Sequence, residues 1–160
     1  MKVVVLGDTH INKPEVSFPE KVKEEMQSAD HIIHTGDWQI PEVYRELKRF
    51  GKVSGVYGNV DGEEITQLVP EKQWLHLEKW SVGVVHGHGE KKTTEKRALG
   101  AFPTPPDILI FGHSHIPLLR YSEKTLLFNP GSLLYRRRLP YCSFGILYLE
   151  RTIEAKHIFL

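Results

Sequence analysis

Several features that this sequence lacks exclude whole classes of protein. A single cysteine, Cys142, rules out an intramolecular disulfide and is typical of a reducing compartment. No apolar run approaches the roughly 20 residues that a membrane-spanning helix needs, and the chain opens on a predicted strand rather than on a signal peptide. The net charge of +1 supplies no overall field that would attract nucleic acid or an acidic membrane. We therefore expect a cytoplasmic protein that binds neither a membrane nor a long nucleic acid.

The apolar pattern predicts an α/β protein. With 160 residues the chain is long enough for one core and too short for two, so we predict a single domain over 1–160. Predicted strands over 2–6, 31–35 and 52–57 alternate with predicted helices over 20–27 and 41–50, an order that favours a parallel sheet. The second half is richer in strands, predicted over 74–77, 80–85, 107–111, 118–121, 125–128, 143–149 and 152–159, with a short helix over 91–99.

Potential metal ligands follow the predicted strands in five groups. These groups are Asp8-Thr9-His10, Gly36-Asp37, Gly58-Asn59-Val60-Asp61, His86-Gly87-His88 and Gly112-His113-Ser114-His115. Strand ends at one edge of an α/β sheet converge and commonly form ligand sites, so we expect the groups to meet in one pocket. Carboxylate, imidazole and amide donors without a thiolate suit Mn, Fe, Ni, Co or Zn.

The donors are numerous enough for a pair of metal ions. Two divalent ions roughly 3.5–4 Å apart can activate a hydroxide and clamp phosphate oxygens, and a carboxylate with two oxygens can be shared between them. Seven side chains offer donors, namely Asp8, His10, Asp37, Asn59, His86, His113 and His115. Without a metal, several of them would be unpaired buried polar groups. We expect the glycines at 7, 36, 58, 87 and 112 to permit the tight turns that aim these side chains inward.

In their order and spacing, the five groups resemble the motifs of the calcineurin-like metallophosphoesterases. The short length and the segment Asn129-Pro130-Gly131-Ser132 are similar to the small YfcE-type phosphodiesterase branch of that family. The resemblance implies a two-sheet β-sandwich flanked by helices, in four αββα layers. It also implies a distribution of ligands: Asp8, His10 and His115 on a first ion, Asn59, His86 and His113 on a second, and Asp37 bridging both.

The resemblance implies hydrolysis of a small phosphoester, which includes nucleotides, by a hydroxide held between two divalent ions. We expect Mn, with Ni, Fe, Co and Zn as alternatives. We expect Asp37, Asn59 and His88 to be catalytic, with Asn59 and His88 also contacting the substrate. The alternatives are a phosphomonoesterase, a nuclease of the same fold, and a non-catalytic scaffold similar to Vps29, which the seven intact donors disfavour. Self-association into a homo-oligomer is also left open.

One position departs from a motif of the family that the chain resembles. Many members of the family have Gly-Asn-His-Asp or Gly-Asn-His-Glu, where the histidine is a proton donor or a phosphate contact, and Val60 stands there in this chain. Valine can do neither, so the sequence favours a phosphodiester over a phosphomonoester. Either His88 or a water on the metal must then protonate the leaving oxygen.

A few other residues allow two interpretations each. The basic run Arg136-Arg137-Arg138 is either solvated surface or a binding element for a second phosphate or a nucleotide backbone. Trp38 either lines the mouth of the site, where a base could stack on it, or packs in the core. His34 is interpreted as a packed residue behind the ligands, and the segment 129–132 as a turn that supports the site.

Overall fold

The computed structural model describes all 160 residues and places strands and helices close to the predicted positions. In chain order the elements are β1 (Lys2–Leu6), α1 (Glu20–Gln27), β2 (His31–His34), α2 (Pro41–Lys48), β3 (Val53–Gly55), α3 (Glu63–Thr66), β4 (Lys72–Leu77), β5 (Trp80–Val85), α4 (Thr94–Leu99), β6 (Ile108–Phe111), β7 (Leu118–Ser122), β8 (Thr125–Asn129), β9 (Ser143–Leu149) and β10 (Ile153–Phe159). None of the four helices has the length and apolar character that crossing a membrane requires.

The ten strands form two mixed five-stranded sheets. The strand order is β10-β9-β1-β2-β3 in the first sheet and β4-β5-β6-β8-β7 in the second. β1, β2 and β3 run parallel, as predicted, and β9 and β10 extend that sheet in antiparallel register. In the second sheet β5, β6 and β8 are also parallel, with β4 and β7 antiparallel at the edges. Each sheet therefore has three neighbouring parallel strands whose carboxyl ends lie at the same edge.

The sheets pack face to face, and helices cover their outer faces. In β1, Val3 and Val5 belong to the core between the sheets, whereas Val4 and Leu6 pack with α1 and α2. In β6, alternate residues likewise face the other sheet or α4. Strands buried on both faces need apolar side chains at every position, and each buried aliphatic side chain contributes roughly 1.5–3 kcal/mol to stability. The four-layer αββα sandwich that the family resemblance implied is confirmed.

Some helix boundaries were predicted wrongly. The helix predicted over 91–99 begins only at Thr94, because the Thr93 hydroxyl accepts a hydrogen bond from the Lys96 amide at 3.3 Å and caps it. Lys91 and Lys92 have φ of +56° and +65°, which a right-handed helix cannot contain.

Helices α2 and α3 and strand β3 also differ from the predictions. Helix α2 ends at Lys48 instead of reaching residue 50, and β3 is shorter than the predicted 52–57. Helix α3 was not predicted at all, since its single turn is too short to show a periodic apolar pattern.

Candidate metal centre

The parallel strands bring the predicted ligands to one edge of the sandwich. They form two groups, and within each group the ligand atoms all lie within 4.8 Å of one another. Asp8, His10, Asp37 and His115 make up the first group, and Asp37, His86 and His113 make up the second. The groups share Asp37, and each contains residues that follow strands of both sheets.

Asp37 lies between the two groups with its side chain buried. Its Oδ2 atom is 3.4 Å from His10 Nε2, and its Oδ1 atom is 3.3 Å from His86 Nε2. Burial opposes ionisation of Asp37, but His86, the Val60 amide and His10 together outweigh it and lower the pKa of Asp37 to about 2. A carboxylate that is ionised and offers one oxygen to each group has the geometry of a bridging ligand.

In the second group, atoms that accept hydrogen bonds face one another. His86 Nδ1 donates to the Thr35 carbonyl oxygen at 2.7 Å, which directs its Nε2 atom toward Asn59 Oδ1 at 3.2 Å and toward Asp37. These atoms repel one another unless a proton or a metal ion lies between them. Burial opposes protonation of His86, but the contact with Asp37 and the charge of Asp8 outweigh it and raise its pKa. The second group is thus built to hold positive charge.

The first group contains a buried carboxylate oxygen without a partner. His115 Nδ1 donates to the Tyr135 carbonyl oxygen at 2.7 Å, so its Nε2 lone pair points to His10 Nε2 at 3.2 Å and to Asp8 Oδ1 at 3.3 Å. Asp8 Oδ1 has no hydrogen-bond partner, and neither has the buried Nδ1 of His113. Leaving such atoms unsatisfied costs about 1–3 kcal/mol each, and a divalent ion would satisfy them. The residues therefore fit a pair of metal ions.

Burial keeps the other imidazoles in the form that binds a metal. It lowers the pKa of His113 to about 4 and also lowers the pKa of His10. A neutral imidazole has a free lone pair, whereas a protonated one has none. These two side chains are consequently available as ligands at neutral pH.

The turns at the site depend on more residues than the glycines that were expected to permit them. Gly36 and Gly87 do have positive φ, but five of the proposed ligands adopt the left-handed region themselves, namely Asp8, His10, Asp37, His113 and His115. Gly58 is needed for a different reason, since a Cβ there would lie 2.6 Å from Asp37 N and 2.8 Å from His86 Nε2. Non-glycine residues with positive φ cost energy and concentrate at functional sites.

Comparison with known proteins identifies the family. A model of the calcineurin-like phosphoesterase superfamily domain matches residues 1–152. The chain belongs to the calcineurin-like phosphoesterase superfamily. A probable metallophosphoesterase of Methanocaldococcus jannaschii is 34% identical and aligns over 99% of this chain and 81% of its own length. A phosphodiesterase of the same archaeon is 24% identical over 94% of this chain and 95% of its own. Chaetomium thermophilum Vps29 shares the fold, with a TM-score of 0.79 at 16% identity over 99% and 97% of the two chains.

The side chains of Val60 and His88 lie at the margin of this phosphoesterase site. The Val60 amide donates to Asp37 Oδ1 at 3.2 Å, and the residue as a whole is 42% exposed. The His88 ring lies 5.5 Å from the His86 ring, and its buried Nδ1 atom has no hydrogen-bond partner. Burial and the neighbouring His86 lower the pKa of His88, so its ring is neutral at pH 7. His88 can therefore offer an N–H donor near the second group.

Asp61 has a role in this phosphoesterase fold that sequence reasoning missed. Its carboxylate accepts hydrogen bonds from the backbone amides of Asp37 at 2.9 Å, Gly58 at 2.7 Å and Gln39 at 2.7 Å. These bonds tie the loop after β3 to the loop after β2. The signal was present in the sequence, because Asp61 is the last residue of the Gly58-Asn59-Val60-Asp61 group.

Two aromatic side chains behind the ligands are packed rather than exposed. Trp38 is fully buried and donates to the Val56 carbonyl oxygen at 2.8 Å, so it cannot stack on a base at the mouth. His34 stacks on it with ring centroids 3.7 Å apart and has a pKa lowered to about 3 by burial and by His86. The His34 Nδ1 atom accepts from the Gly36 amide at 3.1 Å, which agrees with its interpretation as a packed residue.

The segment 129–132 supports the site through its buried side chains. Asn129, which is the last residue of β8 rather than part of a turn, donates to the Gly112 carbonyl oxygen at 2.9 Å. Ser132 donates to the Asp8 carbonyl oxygen at 2.7 Å and accepts from the Tyr135 amide at 2.9 Å. These bonds hold the backbone beside Asp8 and His115. The basic residues 136–138, which follow this segment, are exposed.

Proposed function

We propose that this chain is a binuclear, metal-dependent phosphodiesterase. The observation that carries the proposal is the buried Asp37 carboxylate, with one oxygen toward His10 and the other toward His86. In this proposal Asp8, His10 and His115 hold the first ion, Asn59, His86 and His113 hold the second, and Asp37 bridges them. The archaeal relative named a phosphodiesterase, aligned over nearly its whole length, supports the same reaction class.

When bound, two divalent ions supply an activated water and neutralise charge on the phosphoryl oxygens. The side chains of the two ligand groups position the ions and the phosphoester. Asn59 is exposed beside His86 and can contact both an ion and a phosphoryl oxygen. The nitrogen and oxygen donors lack a thiolate, and we propose Mn as the metal, with Ni, Fe, Co and Zn as alternatives.

Val60 supports a diester rather than a monoester as the substrate. A phosphomonoester with a basic alkoxide leaving group benefits from a nearby proton donor by roughly 10²–10⁴-fold. The Val60 side chain, which is exposed at the site, supplies neither a proton nor a positive charge. A monoanionic diester with an activated aryl leaving group needs less assistance. We propose that His88 assists less activated leaving groups as an N–H hydrogen-bond donor, because its ring is neutral at pH 7 and lies 5.5 Å from the His86 ring, while water supplies the proton itself.

The test compares bis(p-nitrophenyl) phosphate with p-nitrophenyl phosphate in the Mn-loaded protein. We expect a higher kcat/KM for the diester, and we expect Val60→His to shift the ratio toward the monoester by roughly fivefold or more, because a cationic imidazole attracts a dianionic monoester more strongly than a monoanionic diester. Leu68→His, which also puts a histidine at an exposed apolar position but away from the site, is the matched control.

Two results would contradict the proposal. Absence of turnover with every metal would contradict the proposed enzymatic function. A non-catalytic scaffold would then be the remaining interpretation. A strong preference of the wild type for the monoester would show that a residue other than Val60 governs the proton supply. His88→Ala would then reveal whether His88 is that residue.

A further inference from the structure

A second pocket adjoins the first ligand group. It has a volume of about 550 Å³, and residues 114–116 and 135–139 form its walls. The first wall belongs to the loop after β6, and the second belongs to the long connection between β8 and β9. Both segments carry residues that also contact the proposed metal centre.

His115 and Tyr135 connect the pocket to the centre. His115 lines the pocket, and its Nε2 atom faces Asp8 and His10. The Tyr135 ring lies 5.2 Å from the His10 ring and is part of a side chain that is 54% exposed. A phosphodiester bound at the first group would therefore extend one of its substituents along Tyr135 into this pocket.

The charge on the pocket wall is positive and unbalanced. Arg136, Arg137 and Arg138 all line the pocket, and no aspartate or glutamate does. None of the three guanidinium groups forms an ion pair with a carboxylate, although Arg136 donates to the Pro140 carbonyl oxygen at 3.4 Å. Burial lowers the pKa of His10, and the charge of Arg137 acts in the same direction, so this arginine is within electrostatic reach of the centre.

Another basic pocket lies on the other side of the site. It is less suited to bind an anion than the arginine-lined pocket. It has a volume of about 490 Å³, and His88, Lys91, Lys92 and Arg97 are among its lining residues. Glu71 and Glu90 line it as well and offset the positive charge. The Arg97 guanidinium is already bonded to the carbonyl oxygens of Gly87 and Lys92.

We propose that the pocket of residues 114–116 and 135–139 binds a second phosphate group carried by the phosphodiester substrate. Free guanidinium groups bind phosphate through paired, charge-assisted hydrogen bonds, and the Tyr135 ring offers an apolar surface to a sugar or base between the two phosphates. The preferred substrates are then nucleotide-sized diesters with an additional phosphate. This inference rests on the proposed phosphodiesterase function for the site of cleavage, but the binding of the second phosphate can be measured without turnover.

A matched pair of substrates tests the proposal by activity. Thymidine 5′-(p-nitrophenyl phosphate) and its 3′-phosphorylated form differ only in the second phosphate and release the same coloured product. We expect the wild type to favour the 3′-phosphorylated form in kcat/KM by about tenfold. In Arg137→Gln/Arg138→Gln the preference should fall to about one, and Arg137→Lys should retain part of it because the charge remains.

Calorimetry gives the second readout. Thymidine 3′,5′-bisphosphate should bind the Mn-loaded wild type about tenfold more tightly than thymidine 5′-monophosphate, and the double arginine variant should bind both equally. Arg45→Gln/Arg49→Gln removes two exposed arginines, one in α2 and one directly after it, and should leave the difference as in the wild type. Tight bisphosphate binding without any turnover would contradict the proposed reaction, but it would support binding of a second phosphate in the pocket.

Two outcomes would overturn the inference. One is an unchanged preference in the double arginine variant, which would make residues 136–138 ordinary solvated surface. The other is loss of the preference in Lys91→Gln/Lys92→Gln instead, which would place the second phosphate in the pocket beside His88.

Discussion

Asp37 shows how one residue can determine the chemistry of a whole site. Its two oxygens contact different histidines, and its amide is held by Asp61 at 2.9 Å. Its backbone has a φ of +59°, which points the side chain into the space between the two ligand groups. A side chain with a single donor atom could not serve both groups, so replacing Asp37 should affect both ions.

The first prediction concerns this residue. Asp37→Ala should bind fewer Mn ions than the two per chain that we expect for the wild type, because both ions lose a ligand. The kcat/KM for bis(p-nitrophenyl) phosphate should fall by roughly 10²–10³-fold or more. Elemental analysis after reconstitution and a steady-state assay measure the two effects.

Asp30→Ala is the control for this prediction, since Asp30 is an exposed carboxylate that accepts from the Lys2 amide at the opposite end of β1 and β2 from the ligands. It should keep both the metal content and the activity. Full metal content in Asp37→Ala would show that Asp37 is not a shared ligand.

The loops that follow β2 and β3 act as one unit at the scale of structural elements. The Asp61 carboxylate accepts from three backbone amides, two of them in the loop after β2 and one in its own loop. Burial raises the pKa of Asp61, and its bonds to the backbone amides counteract this effect. Asp61 thereby positions Asp37 and Asn59 relative to each other without belonging to either ligand group.

The second prediction follows from this connection. Asp61→Asn replaces one accepting oxygen by an NH₂ group that opposes a backbone N–H, so the loops should separate slightly and Mn affinity should fall by about 10–100-fold. Activity should recover at saturating Mn, because the ligands themselves are intact. Titration with Mn, followed by activity, measures the shift.

Asp107→Asn is a chemically matched control. Asp107 also accepts hydrogen bonds from a backbone amide and a hydroxyl, both of Ser81, but it precedes β6 and lies at the opposite end of that strand from the ligands. Equal loss of Mn affinity in both variants would mean that the effect of Asp61 is general destabilisation.

At the scale of the whole molecule, the site joins the two sheets. Asp8, His10 and Asp37 follow strands of the first sheet, while His86, His113 and His115 follow strands of the second. Each ligand group contains members from both sheets. An ion in either group therefore cross-links the sandwich at its edge and binds only the folded chain with high affinity.

The third prediction is a metal-dependent gain in stability. At a concentration 100 times its dissociation constant, each bound Mn should stabilise the fold by about 2.7 kcal/mol, which corresponds to roughly 5–10 °C in Tm for a chain of this size. Removing Mn with a chelator should reverse the gain. Differential scanning calorimetry of the same sample before and after chelation measures it.

His86→Ala should lose only the part of this gain that comes from the second ion. Its Tm should still rise with Mn, but by about half as much as that of the wild type. An identical rise in both proteins would contradict the assignment of His86 to a metal.

The sequence alone determined the local features of this protein. Consecutive apolar residues at 3–6 and 32–33 predicted strands buried on both faces, since the two faces of a strand alternate along the chain. Carboxylate and imidazole groups just after those strands predicted a metal site, because donor chemistry belongs to the residue itself. The seven predicted donors do lie at one edge of the sandwich.

Only the tertiary structure decided which of these residues meet. His10 and His115 are 105 positions apart in the chain, yet their Nε2 atoms lie 3.2 Å apart. The burial of Trp38, the bonds of Asp61 to two loops and the arginine-lined pocket beside Tyr135 likewise depend on the order of strands in the sheets. Periodicity and composition describe a residue and its neighbours in sequence, whereas such contacts arise from strand pairing between distant segments, which local patterns do not encode.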